Sequence, residues 1–375
     1  MLRYFLFFSS IILLSYPAQS NDNFNMNLYY GYASSDNLAR NKLEKITGNY
    51  SNIEANIVGK SRLLQNHHIL YRGGFKTKRH ANDLHADNFD ENLGTIELGN
   101  QVRIGQGHLL GLQTHYLNFS GRTTDFQTNS TEGRDSRFNE VGAALVWQNS
   151  LLPFSRYLDI YFKVFYLQRD FKTLANDENG NLFEDDYTAK GIELDNQYQL
   201  TNRLSIQVKP EYKLKLYSDR RSRFTEGTLD NSKRNPFQEL AIWSVNNKVE
   251  YVSNFAKIFV LHNFTFQDDK AFGALDYEGN IYSFGVEFPF TSVAVFRPTY
   301  TIGKHQYETF VANVIGDPQS TEKRVDKIYS LDIPVELSLS FIKLVINYQK
   351  QKITSNYPLE GYEEEKYELG VKYEF

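Results

Sequence analysis

The sequence has no cysteine, only two tryptophans and, after residue 20, no apolar run long enough to cross a membrane as a helix. The missing cysteine excludes a disulfide scaffold, a thiolate metal centre and a diacylated lipoprotein. Linker-like segments and shifts of composition are also missing, which favours one domain. If the chain spans a membrane, we expect it to do so with strands, because only helices and closed barrels satisfy the backbone in lipid.

The sequence also lacks a strong excess of charge of either sign. The formal net charge is -4, and charges of both signs are scattered along the 375 residues, so nucleic acid is not an expected partner. No nucleotide, haem or zinc motif is present, and we predict no cofactor. Aromatic residues are abundant at 15%, although the mean hydropathy is -0.50. This combination is typical of a membrane barrel with aromatic girdles and a polar lumen.

Residues 1–20 have the features of a cleaved signal peptide. Arg3 supplies the positive charge, an apolar segment follows, and Ala18 and Ser20 are the small residues that a signal peptidase requires. The apolar segment is too short for a transmembrane helix. We therefore predict a signal peptide over 1–20 and an exported domain over 21–375.

Apolar and polar residues alternate with period two through most of the exported domain. In residues 203–217, for example, Leu204, Ile206 and Val208 share one face of a strand, and Lys209, Lys213 and Lys215 share the other. The pattern predicts about sixteen such strands, among them 236–253, 292–305 and 342–355. They are joined alternately by short turns, such as 152–154, and long polar loops, such as 123–133. An even strand number with this alternation indicates an all-β fold, a transmembrane antiparallel up-and-down β-barrel with both termini periplasmic. A soluble propeller or sandwich would leave too broad an apolar face in water, and no blade repeat is visible.

Three prolines, Pro210, Pro298 and Pro334, fall inside predicted strands. A closed barrel has no edge at which a missing N–H donor is harmless. Either these prolines sit at β-bulges, or the predicted registers of their strands are wrong.

The C-terminal strand alternates perfectly. The apolar positions are Tyr367, Leu369, Val371, Tyr373 and the terminal Phe375. This segment resembles the terminal strand of Gram-negative outer-membrane proteins. The resemblance implies an outer-membrane location, contact with membrane lipid and lipopolysaccharide, and recognition by the barrel-assembly machinery.

The stretch from Arg324 to Tyr367 also looks like the end of barrels that secrete polysaccharide or surface lipoproteins. Such barrels commonly carry a periplasmic helical-repeat domain, and residues 21–375 predict none. A secretion barrel therefore remains one alternative, beside a receptor, adhesin or scaffold that acts through its loops.

Charged residues on the polar faces of the strands suggest a channel. About sixteen strands enclose an aqueous bore, so inward side chains select solutes. The residues predicted to line it are, on one side, basic Lys163, Arg169, Lys209, Lys213, Lys215 and Lys248, and, on the opposite side, acidic Glu287, Asp332, Glu336, Glu368 and Glu374. We expect a porin-like channel for passive passage of small polar solutes, biased toward anions by Lys209, Lys213 and Lys215. Glu193 and Asp195 are expected to neutralise part of this basic side.

Enzymatic activity is not expected. His115, Asn118 and Ser120 are close in sequence, but on a strand His115 and Asn118 point to opposite faces, so a base and its orienting group cannot converge. The acidic segment 177–186 lacks the glycine and terminal carboxylate of an EF-hand loop. We predict neither catalytic nor metal-binding residues.

Overall fold

A computed structural model describes residues 23–37, 47–80, 90–105, 107–125, 130–149, 158–176, 182–222, 235–271, 273, 275–311, 322–357 and 361–374. These residues form sixteen long strands. The strands are β1 Asn23–Ser35, β2 Gly48–Leu64, β3 His67–His80, β4 Glu91–Gly105, β5 His108–Asp125, β6 Ser130–Asn149, β7 Leu158–Phe171, β8 Tyr187–Gln199, β9 Leu204–Arg221, β10 Phe237–Val252, β11 Lys257–Asp269, β12 Tyr277–Pro289, β13 in two segments Ala294–Phe296 and Thr299–Val311, β14 Lys323–Leu339, β15 Ile342–Ser355 and β16 Gly361–Glu374.

The strands close into one antiparallel barrel. Each strand pairs with its neighbours in sequence, and β1 pairs with β16 from Asn27 opposite Glu374 to Ser35 opposite Lys366. The predicted all-β, sixteen-stranded, up-and-down barrel is therefore confirmed. The described residues contain no helix that is long and apolar enough to cross a membrane.

Connections differ between the two ends of the barrel. Short turns at 65–66, 200–203, 253–256, 290–293 and 340–341 lie at one end, which we call the turn end. The strand ends that flank the longer connections, such as 36–47 and 222–236, lie at the opposite end, which we call the loop end. Two connections differ from the predicted lengths, because β5 and β6 extend to leave only 126–129 at the loop end, and 150–157 is longer than the predicted turn.

The outer face of the barrel carries an apolar band bounded by aromatic residues. Outward residues such as Leu98, Leu145 and Trp243 remain more than half exposed, and few large apolar side chains of the described residues are buried. Above this band, toward the loop end, is a row of outward tyrosines that includes Tyr116, Tyr166, Tyr282, Tyr300, Tyr329, Tyr348 and Tyr367. Exposed Phe255, Phe290 and Phe341 lie in the turns of the opposite end. An apolar band between two aromatic girdles is what a bilayer requires.

The three prolines occupy gaps in otherwise regular ladders. The β8–β9 register continues from Glu193 opposite Glu211 to Asn196 opposite Val208 without a shift, and only the pairs around Pro210 are missing. Pro298 interrupts β13 opposite Ile333, the residue before Pro334 of β14, again with the register unchanged on both sides. The expected bulges are wrong at all three positions. The ladder simply lacks the hydrogen bonds that a backbone N–H at each proline would have donated. Pro298 and Pro334 lie in the same gap between β13 and β14.

Candidate functional site: the inner wall of the barrel

The polar faces of the strands form the inner wall. Pairing across β6 to β10 aligns Lys163 with Glu193, Arg169 with Tyr187, and Lys213 with both Gly191 and Ile242. These residues alternate with the exposed apolar positions of the outer face, so they point inward. The inward charged residues of β7 to β10, up to the level of Arg169, are basic Lys163, Arg169, Lys209, Lys213, Lys215 and Lys248, and acidic Asp159, Glu193, Asp195, Glu211 and Glu250. The basic surplus on this side is thus a single residue.

Most of the inward basic residues form ion pairs. Lys209 Nζ lies 2.9 Å from Glu193 Oε1, Lys213 Nζ lies 3.4 Å from Glu211 Oε1, and Lys248 Nζ lies 2.6 Å from Glu250 Oε2. The expected partnership of Glu193 with this lysine set is present. Asp195 instead accepts hydrogen bonds from the Gln207 amide at 2.8 and 2.9 Å.

Lys163 and Lys215 differ from the other lysines of this wall. Among the described residues, neither has a carboxylate within ion-pair distance. Lys215 Nζ lies 4.1 Å from the centre of the Tyr187 ring and donates to the Tyr217 hydroxyl at 3.1 Å. Lys163 Nζ lies 5.7 Å from the centre of the Phe165 ring. Aromatic faces attract these cations without cancelling their charge, so both lysines contribute net positive charge to the bore.

The acidic residues of the opposite wall are also largely neutralised. Arg297 bridges Glu287 and Glu336, with Nε 3.0 Å from Glu287 Oε2 and Nη1 2.7 Å from Glu336 Oε1. The carboxylate of Glu368 is 2.7 Å from Lys366 Nζ. Glu374 lies 2.7 Å from both Lys343 and Lys372. Asp332 is the exception, because one of its buried carboxylate oxygens has no hydrogen-bond partner.

Sequence reasoning missed a charged row across β3 to β7. Arg72 Nη1 lies 3.6 Å from Glu97 Oε2, Glu97 is opposite His115, and His115 Nε2 lies 3.1 Å from Glu140 Oε1. Glu140 also accepts from Arg169 at 2.6 Å. The row could have been found by aligning the inward positions of adjacent strands, once their register was known.

Glycine makes part of this row possible. Gly142 is paired with His115, and a Cβ at residue 142 would lie 2.0 Å from His115 Cε1. The missing side chain lets the imidazole lie across β6 and reach Glu140. Asn118 is paired with outward residues and belongs to the outer face, so His115 and Asn118 diverge as predicted.

Two adjoining recesses lie in the inner wall at the level of Lys163. The larger has a volume of about 400 Å³ and is lined by Arg72, Glu97, Gln113, His115 and Lys163. The smaller, of about 180 Å³, is lined by Lys163, Glu193, Glu211 and Lys213. Both present charges of both signs, which suits polar or zwitterionic solutes. Among the described residues no group of His, Asp and Glu could hold a metal ion, and residues 177–181 of the acidic segment lie outside the described ranges.

The terminal strand lies where the barrel closes. Tyr367, Leu369, Val371 and Tyr373 point outward and pair with apolar residues of β15 on one side and with the outward face of β1 on the other. Phe375 lies outside the described residues. The strand therefore presents its apolar face to lipid at the seam of the barrel.

Comparison with known proteins identifies the fold alone. No protein-family model and no curated protein matches the sequence. The structure is similar to OccAB4 of Acinetobacter baumannii, with a TM-score of 0.51 and 11% identity over 96% of this chain and 99% of that chain. CdiB from Acinetobacter baumannii matches with a TM-score of 0.52 and 9% identity over 93% of this chain and 60% of that chain.

A closed antiparallel barrel with an apolar, aromatic-girdled outer face and a charged inner face defines a class, the transmembrane β-barrels. The protein is a β-barrel of the Gram-negative outer membrane. Its contact with membrane lipid follows directly from the exposed apolar band.

Proposed function

We propose that the protein is a passive channel for small polar solutes. The proposal rests on an ion pair inside the barrel whose two side chains remain accessible to water. Arg72 and Glu97 point inward, yet their side chains are 63% and 37% exposed. Charged groups on a packed interior would be desolvated at large cost, so these two side chains face water within the bore. A barrel of sixteen strands is wide enough for such an aqueous path.

Single-channel recording in a planar bilayer tests the proposal. We expect stepwise, long-lived conductance from folded protein and none from heat-denatured protein. A matched pair of variants ties the current to the bore. Ala144 faces inward and borders both recesses. Its neighbour Ala143 also borders the smaller recess, but its side chain belongs to the outward face, opposite Thr114 and Tyr166. Ala144→Trp should lower the unit conductance, and Ala143→Trp should leave it unchanged.

Folded protein that inserts into the bilayer without conducting would contradict the channel proposal. In that event the loop-based receptor or scaffold would become the better hypothesis. Equal effects of Ala144→Trp and Ala143→Trp would show that the recorded current does not pass along the inner wall.

A further inference from the structure

The outer face carries a lysine pair that the channel does not use. Lys304 of β13 and Lys327 of β14 are directly opposite each other in the ladder. Both belong to the outward set, because their neighbours Ile302 and Tyr329 are opposed on the same face. Both lysines are exposed. They therefore point away from the bore, where no permeating solute can reach them.

Like charges placed directly opposite on a sheet repel each other. Lys304 Nζ donates to the amide oxygen of Gln306 at 3.3 Å, and this neutral contact leaves its charge uncompensated. Lys327 has no carboxylate within ion-pair distance among the described residues. An anion between the two ammonium groups would turn the repulsion into two charge-assisted hydrogen bonds.

A second pair of outward lysines extends the basic surface across β15. Lys350 Nζ lies 3.0 Å from Glu363 Oε1 and 2.6 Å from Glu365 Oε1, and Lys352 Nζ lies 3.2 Å from Glu363 Oε2. With Glu278 of β12, which is opposite the outward Gln306, four lysines and three glutamates thus occupy this part of the outer face. The surface keeps a net positive charge even if every internal ion pair is retained.

The depth of the lysine pair points to the source of the anion. The pair lies immediately above the outward tyrosines, on the loop-end side of the apolar band, and Tyr329 is the next outward residue below Lys327. This is the level at which lipid headgroups begin. We propose that Lys304 and Lys327 hold a phosphate group of a phosphorylated glycolipid of the outer leaflet. The proposal rests on the membrane orientation of the barrel and is independent of channel activity.

A lipid titration tests this site. Folded protein in detergent is titrated with bisphosphorylated lipid A and with lipid A stripped of its phosphates, and the temperature at which the folded gel band converts to the unfolded one is recorded. We expect the bisphosphorylated lipid to raise this temperature more than the dephosphorylated one. Lys304→Gln with Lys327→Gln should raise the half-maximal lipid concentration about tenfold, the loss expected for hydrogen bonds to a charged group.

Two controls define the site. Lys190 is an exposed outward lysine on β8, paired with outward Tyr166 and Leu214 and remote from the Lys304–Lys327 pair, so Lys190→Gln should keep the wild-type response. Lys304→Arg with Lys327→Arg should also keep it, because guanidinium groups bind phosphate.

Three results would overturn the proposal. Equal stabilisation by the dephosphorylated lipid would remove the role of phosphate. An equal effect of inorganic phosphate would show a small-anion site rather than a lipid site. A change in oligomeric size of the Gln double variant, measured by light scattering, would assign the surface to self-association instead.

Discussion

At the scale of single residues, inward polar and outward apolar side chains alternate along the strands. His262 is a polar exception on the outer face, and it is hydrogen-bonded to neighbouring polar side chains. His262 of β11 points outward between Val260 and Phe264. Its two ring nitrogens lie 3.4 Å from Asn247 Nδ2 and 3.2 Å from Asn280 Oδ1. A polar group facing lipid is costly unless it is hydrogen-bonded, and the two asparagines meet that need. Period-two patterning could not reveal this cluster, because the partners lie on three different strands.

Asp90, just before β4 and outside the membrane-spanning strands, gives a residue-scale prediction. Burial alone would raise its pKa, but hydrogen bonds from the Arg79 guanidinium and the His80 backbone N–H, each at 2.8 Å, outweigh burial and lower the pKa. Such a carboxylate stabilises the fold at pH above its unfolded pKa of about 3.9, and the gain is lost as pH falls through the lower folded pKa. Asp90→Asn should cost about 1 kcal/mol at pH 7, after allowance for solvent screening.

The temperature of gel-band conversion at pH 7 and at pH 3 measures this effect. The difference between wild type and Asp90→Asn should be largest at pH 7 and shrink at pH 3. Arg79→Gln provides a double-mutant test, because its cost should be smaller when Asp90 is already replaced. A pH-independent difference would mean that the carboxylate charge is not what stabilises this connection.

At the scale of strands, the sequence predicted most elements within a few residues. The predicted strand 236–253 corresponds to Phe237–Val252, and 342–355 corresponds to Ile342–Ser355. Larger errors occurred where strands leave the bilayer. β13 was predicted to end at 305 and continues to Val311. Outside the lipid both faces of a strand are polar, so the alternation that marks a strand disappears although backbone pairing continues.

The role of β16 in assembly remains a prediction with a direct test. Leu369 of β16 and Leu145 of β6 are outward residues with nearly equal exposure, 60% and 59%. Placing aspartate at either position puts a charge on the lipid face and should destabilise the folded barrel similarly. If the assembly machinery recognises the terminal strand, Leu369→Asp should reduce the amount in the outer membrane far more than Leu145→Asp does.

Quantifying folded protein in outer-membrane fractions measures this, with refolding into detergent as the control for intrinsic stability. Both variants should refold in detergent to a similar extent. Equal loss of the two variants from the membrane would indicate a lipid-face penalty alone and would contradict a special role of Leu369.

At the scale of the whole barrel, the charge pattern of the bore depends on register, which the sequence did not reveal. The faces of the strands were predictable, because each inward lysine alternates with apolar residues. The ion-pair partners of these lysines were not predictable. Lys209 pairs with Glu193, which is diagonal to it, and not with Asp195, which lies directly across in the register. The predicted opposition of a basic and an acidic wall is therefore weaker than expected. What remains is a small positive surplus near Lys163 and Lys215.

Ion selectivity is the property in which this surplus should be visible. Replacing Lys209, Lys213 and Lys215 together with glutamate reverses three inward charges, and we expect the reversal potential under a salt gradient to move toward cation preference. Fixed charges facing water are screened over about 8 Å at physiological salt, so the shift should be larger in dilute electrolyte. A control removes one ion pair at constant net charge. Glu193→Gln with Lys209→Gln should leave the reversal potential close to wild type, because the two charges nearly cancel at a distance. An unchanged reversal potential in the triple variant, with conductance intact, would place these lysines outside the conducting path.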